Sequence, residues 1–216
     1  KLYNDVTYAI AGSADAEQSL RLLEDMKNHG FIPNATVYTF IIFALCYSGR
    51  MNEAHQIFKE MKAYGRTPNL KTYNTLIRGY AKKGQLDLAE DVMRSYMVDG
   101  KVEPNEKTYS ILIDYRVNAG ELEKAWSLFQ EMKDVGVCPN VITYIYVLKA
   151  CGIVGSLEIG EEIDAKVREQ GLVEKNVMLG TALMDMYSKC GAMQRAQEVF
   201  AELPEQNIMS WNTLIT

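Results

Sequence analysis

The stretch "KTYNTLIRGYAKKG", residues 71–84, decides the reading of this chain. Its apolar residues Tyr73, Leu76, Ile77 and Tyr80 fall at i, i+3, i+4 and i+7, one face of a helix. Gly84 then supplies a left-handed cap, which glycine adopts without a Cβ penalty. The phrase returns as "KTYSILIDYRVNAG" at 107–120 and, near the end, as "MSWNTLIT" at 209–216. One amphipathic helix is being written several times, with the residue after its head aromatic changing within a small polar set.

Working outward, the head aromatics are Tyr3, Tyr38, Tyr73, Tyr109 and Tyr144, spaced 35, 35, 36 and 35. The register continues to Gly180 and Trp211. A second marker, Gly49, Gly84, Gly120, Gly155 and Gly191, runs in phase, as does a third, Gly30, Gly65, Gly100, Gly136 and Gly171. Between them lies a second helix, as in "MNEAHQIFKEMKAYG", where Ala54, Ile57, Phe58 and Met61 repeat the same face. Gly65 ends it and Pro68 prevents its continuation. The 36-residue units are expected to place their extra residue, such as Glu103, in the closing loop, where insertion costs least. Met26, Met61 and Met132 recur at one place on the second helix and read as core.

A helix pair of about 35 residues cannot bury its apolar face alone, whereas stacked pairs can. The expected fold class is therefore all-α, an α-solenoid of helix-turn-helix repeats wound as a right-handed superhelix. No linker interrupts the pattern, so residues 1–216 read as one array. Its repeats are about 1–34, 35–69, 70–105, 106–140, 141–176 and 177–207, with a truncated repeat at 208–216. Both ends look cut, which predicts an apolar end face at Trp211–Ile215 and leaves pairing of two copies there open.

The bulk numbers narrow the function. There are 23 Lys+Arg against 28 Asp+Glu, a net charge of −5. That disfavours a binder resting on many nonspecific phosphate contacts, though not one whose cations share a face. No apolar run is long enough to span a membrane, and "KLYNDVTYAI" lacks a secretory signal pattern. Cys46, Cys138, Cys151 and Cys190 form no Cys-x-x-Cys, and His29 and His55 stand apart from them, so no metal or cofactor is expected. No nucleophile, zinc-deaminase or phosphate-loop constellation is visible, so no catalysis is expected.

Three longer passages carry a resemblance: "TVYTFIIFALCYSGRMNEAHQIFKEMKAYGRTPN" (36–69), "KTYNTLIRGYAKKGQLDLAEDVM" (71–93) and "KTYSILIDYRVNAGELEKAWSLFQEMKDVGVCPN" (107–140). The chain resembles the pentatricopeptide repeat family over essentially its whole length. Residues 141–176 look like the family's long variant and 177–207 like its short one. That mixture is typical of its plant organelle RNA-editing branch, while the first four units look like the plain type.

The resemblance implies single-stranded RNA binding at one base per repeat, read by two or three side chains. Editing, splicing, stability or translation of RNA in a chloroplast or mitochondrion would be the setting, with RNA-processing proteins as further partners. The base-reading pairs it implies are Asn4 with Asn34, Thr39 with Asn69, Asn74 with Asn105, Ser110 with Asn140, Ile145 with Asn176 and Thr181 with Asn207. Asn212 would open the next pair. The residue two before each head aromatic would stack on bases: Thr36, Lys71, Lys107, Ile142 and Met178, with Lys1 in the first unit. Lys82 and Lys189 occupy the family's phosphate-contacting place. By the family's usual code the RNA reads pyrimidine, A, pyrimidine, A, unread, A from 5′ to 3′, since the Ile145 side chain cannot hydrogen-bond.

Simpler readings stand beside these. An Asn after Pro is a good helix N-cap, and a lysine at a helix C-terminus is favoured by the dipole. Helical-pair arrays in general also bind proteins. What separates the two functions is the small polar residue in the first slot, which capping does not explain.

Overall fold

A computed structural model describes residues 15–203. Among these there is no strand; the chain is an all-α solenoid of helix pairs. It divides into two compact units, Lys1–Tyr115 and Arg116–Thr216. In unit 1 the helices are α1 (Ala16–Asn28), α2 (Ala35–Tyr47), α3 (Met51–Ala63), α4 (Leu70–Lys82) and α5 (Leu86–Asp91). The last passes into a π-helical turn (Val92–Met97). α6 (Glu106–Asn118) contains the boundary. Unit 2 holds α7 (Leu122–Asp134), α8 (Val141–Val154), α9 (Leu157–Glu169), α10 (Val177–Lys189) and α11 (Met193–Glu202).

The opening phrase is α4. Tyr73, Leu76 and Ile77 are fully buried and Tyr80 nearly so. The chain leaves α4 through Gly84 at φ +74°, where the Gln85 amide donates to the Tyr80 carbonyl at 3.0 Å. This closes the helix, the Tyr80 carbonyl accepting from Gln85 as well as from Lys83. Second helices bury the expected face: Ala54, Ile57, Phe58 and Met61 in α3, and Ala125, Leu128, Phe129 and Met132 in α7.

First helices also pack on first helices, α2 on α4 in unit 1 and α8 on α10 in unit 2. A first helix is thus flanked on several sides. This explains why α2 ("ATVYTFIIFALCY") and α8 ("VITYIYVLKACGIV") are apolar nearly all round. At roughly 2 kcal/mol for each fully buried large aliphatic side chain, this repeated stack is the main stabilising term.

The extra residue of the third unit is not in the closing loop. It sits inside the second helix, as the π-helical turn Val92–Met97. The hydrogen bonds show the shift: Arg66 donates to the Met61 carbonyl at 3.0 Å, and its counterpart Val102 donates to Met97 at 2.9 Å, 36 residues on. The left-handed position therefore falls on Lys101, φ +54°, rather than on Gly100. Gly100 serves a different need, because a Cβ there would lie 2.2 Å from the Tyr73 hydroxyl. In the fifth unit the expectation holds: Gly171 keeps the cap, φ +60°, and the added residue lies in the turn before Asn176.

Candidate nucleic-acid interface

Every described asparagine at a unit's end caps the next helix. The Oδ1 of Asn34 accepts the Val37 amide at 3.0 Å, and that of Asn69 accepts Thr72 at 3.1 Å. Asn105 accepts Thr108 at 3.2 Å, Asn140 accepts Thr143 at 2.9 Å and Asn176 accepts Leu179 at 3.1 Å. An amide whose oxygen is turned to the helix end presents its NH2 the other way, as two donors. Capping therefore fixes the orientation of these side chains and leaves a hydrogen-bonding group over.

The partner slots lie one turn into the first helices. Thr39, Asn74 and Ser110 are buried, with edges of 4%, 7% and 7% left exposed. Ile145 and Thr181 are half-buried. The hydroxyls turn back on their own helix: Thr39 donates to the Ala35 carbonyl at 2.8 Å, Ser110 to Glu106 at 2.6 Å and Thr181 to Val177 at 2.8 Å. Asn74 is engaged differently. Its Oδ1 instead accepts from the Thr108 hydroxyl at 2.8 Å.

The stacking slots are exposed. Thr36, Lys71 and Lys107 face solvent on the first turns of α2, α4 and α6, and Ile142 and Met178 are 52% and 72% exposed on those of α8 and α10. Two large apolar side chains standing in water at equivalent places, each followed by a buried residue, form candidate platforms for flat apolar surfaces. Lys71 also holds its Nζ 5.0 Å from the Phe40 ring centre.

In unit 1 these residues converge. A groove of about 1010 Å3 is lined by Asn69, Asn74 and Asn105 together with Lys71, Lys82 and Lys107. Arg78 joins them, and among the described residues no Asp or Glu lines the groove. Four cations without a carboxylate, in a chain of net charge −5, are a local concentration of positive charge. Asn34, Thr36, Thr39 and Ser110 are not part of this lining. The two lysines at the phosphate slots differ. Lys82 sits 4.7 Å over the Tyr47 ring, whereas Lys189 is paired with Asp185 at 2.6 Å. Asn4, Asn207, Lys1, Asn212 and the Trp211–Ile215 face lie outside the described residues.

Several site residues are absent from the sequence-based expectations. Arg78 lines the groove, as do the exposed aromatics Phe43 and Tyr47, stacked with ring centres 6.2 Å apart. An i, i+4 aromatic pair on an otherwise core-like helix is the signal that could have found them. The others are Thr72 and Thr108, each directly before a head aromatic. Their recurrence as "KTYN" and "KTYS" was visible, but their partners lie 33 and 34 residues away.

Comparison with known proteins agrees with this architecture. The PPR repeat family model matches residues 33–82, 68–116 and 111–152, and a PPR repeat model matches 181–208. A pentatricopeptide repeat-containing protein of Arabidopsis thaliana is 37% identical over 121 residues, 56% of this chain and 20% of the relative. Another from the same plant, named as mitochondrial, is 36% identical over 108 residues, 50% of this chain and 16% of its own. The chain thus spans about a fifth of the length of these relatives. Among solved structures, pentatricopeptide repeat protein PPR10 in complex with an 18-nucleotide psaJ RNA element superposes with a TM-score of 0.72. It is 24% identical and covers 98% of this chain and 31% of its own. The PPR domain of Arabidopsis protein-only RNase P 1, in complex with tRNA, gives 0.61 at 16% identity, over 91% of this chain and 97% of its own. With its family model matched over more than half its length, the chain belongs to the pentatricopeptide repeat family.

Proposed function

We propose that this chain binds single-stranded RNA, about one base per repeat along residues 1–216, and serves organellar RNA processing without catalysing a reaction. The observation that carries the reading is the unit 1 groove, where Asn69, Asn74 and Asn105 stand among four cations and no carboxylate. Polar groups with fixed orientation suit base edges, and cations beside them suit the phosphates between bases. The exposed Ile142 and Met178 suit base faces. The solved relatives PPR10 and protein-only RNase P 1 are both bound to RNA. Curated relatives named as mitochondrial or chloroplastic support a place in one of those organelles.

The base order follows from the pairs: pyrimidine at Asn74–Asn105, adenine at Thr39–Asn69, Ser110–Asn140 and Thr181–Asn207, and no preference at Ile145–Asn176. The Asn4–Asn34 pair adds a leading pyrimidine. The test is fluorescence anisotropy with 5′-CACAUA-3′ in an unstructured oligouridine context against a permuted sequence of equal composition. The ordered RNA is expected to bind at least about tenfold more tightly, the size of one or two base mismatches. Equal binding would overturn base reading, and no binding to either RNA would leave a protein-binding scaffold as the better account.

A further inference from the structure

The reading pairs are not independent of one another. In the third unit both members meet on one hydroxyl that belongs to neither. Thr108 Oγ1 lies 2.8 Å from Asn74 Oδ1 and 3.2 Å from Asn105 Oδ1, and it accepts the Asn105 amide at 3.2 Å. In the second unit Thr72 does the same. Its Oγ1 lies 2.8 Å from Thr39 Oγ1 and 3.2 Å from Asn69 Oδ1, and the Asn69 amide approaches it at 3.4 Å. Thr72 and Thr108 are both fully buried.

A threonine hydroxyl has one proton to give. Asn105 Oδ1 already accepts the Thr108 amide, so the shorter contact, to Asn74, takes the proton. That holds the Asn74 oxygen inward and turns its NH2 toward the groove, as a donor. In the second unit the Thr39 proton is committed to the Ala35 carbonyl, so Thr72 donates to Thr39. What Thr39 then offers outward is a lone pair. Equivalent buried threonines thus back two slots of opposite outward polarity: Thr108 sets that of Asn74, while Thr72 occupies the inward side of Thr39, whose proton the Ala35 carbonyl holds. A donor suits a pyrimidine O2 carbonyl, and an acceptor suits the adenine amino group.

We propose that Thr108 and Thr72 are positioning residues that set the hydrogen-bonding polarity of the preceding reading pair, and so its base preference. A free asparagine amide can turn over and present either end, and such a side chain discriminates poorly. The fifth unit shows the alternative composition. There the reading slot holds Ile145 and the corresponding position of the next helix holds Leu179. A slot without a hydrogen-bonding group is matched by a position without a hydroxyl.

This inference rests on the base-reading proposal, and the experiment separates the two. The full 216-residue chain and its Thr108→Val and Thr108→Ser variants are titrated by anisotropy against the CACAUA RNA with each base in turn at the third position. Circular dichroism melts check folding. The unaltered chain is expected to prefer pyrimidine over purine there about tenfold. T108V should drop that ratio below about threefold while leaving the ratio at the fourth base unchanged, and T108S should keep it. If the unaltered chain shows no preference at the third base, base reading itself fails and takes this inference with it. If it discriminates and T108V discriminates equally, or T108V and T108S lose the ratio alike, only the positioning role falls. Should T108V not fold, the fifth unit decides: Ile145→Asn combined with Leu179→Thr must discriminate at the fifth base at least about threefold better than I145N alone, and an equal ratio refutes the proposal.

Discussion

At the scale of single residues, helix capping is compatible with the base reading proposed for the same asparagines. Asn69 Oδ1 holds the start of α4, and an amide with its oxygen so engaged still has two N–H donors, so the good helix capper and the proposed base reader need not be alternatives. The positions of these asparagines were legible because phase and proline mark them. The hydrogen bond from Thr108 to Asn74 was not, because periodicity says which face a residue takes and not which neighbour 34 positions away shares its proton. His55 is another residue whose setting only the packing reveals. It lies among the rings of Phe58, Tyr80 and Tyr96, and its Nδ1 is 3.0 Å from the Tyr80 hydroxyl. Burial, and secondarily the Lys59 charge, lower its pKa from the ordinary 6.5. As pH falls, the unfolded chain therefore takes up the proton first. The contribution to stability is full above about pH 6.5, declines below it, and stops declining once the folded value is passed. His55→Gln should accordingly lose less of its melting temperature than the unaltered chain between about pH 7 and about pH 5. Parallel losses would show that His55 is protonated as easily folded as unfolded.

At the scale of the element, the phased tyrosines and glycines announce each helix and its end, so pairs, turns and core faces are legible in the sequence itself. A period of 36 says only that one residue has been added. In the third unit it entered the second helix, where a π-helical turn absorbs it and re-aims everything after Met97 by one position. Gly100 and Lys101 then exchange the roles their types suggest. Lys101 carries a left-handed backbone that glycine would adopt freely. Gly100 faces the Tyr73 hydroxyl too closely for a methyl group. Two substitutions should therefore act in opposite directions. Lys101→Gly should stabilise by about 0.5–1 kcal/mol, the strain relieved less the added freedom of the unfolded chain. Gly100→Ala should destabilise by about 2 kcal/mol through overpacking. Urea midpoints at constant slope give both numbers. If G100A proves neutral, the Tyr73 ring has room to move, and the close approach is not what selects glycine there.

At the scale of the whole molecule, the proposed RNA binding has to be reconciled with a net charge of −5. Many of its charges are spent on one another away from the groove, as in Lys27–Glu60, Arg50–Glu53 and Arg168–Asp164. The groove of unit 1 keeps Lys71, Arg78, Lys82 and Lys107 with no acid among its lining residues. The placement of these four gives the salt dependence a size. Each phosphate neutralised on a single strand contributes about −0.7 to the slope of log K against log salt, so four cations give about −3. Arg78→Ala and Lys107→Ala should each make the slope less negative by about 0.7 while weakening binding to ordered and permuted RNA alike, since phosphates carry no sequence. Thr108→Val should do the reverse, changing base preference and leaving the slope alone. Lys59, an exposed cation of α3 that does not line the groove, is the control. If Lys59→Ala makes the slope less negative by as much as K107A does, the attraction comes from the charge of the whole surface, and the groove has no special claim on the phosphates.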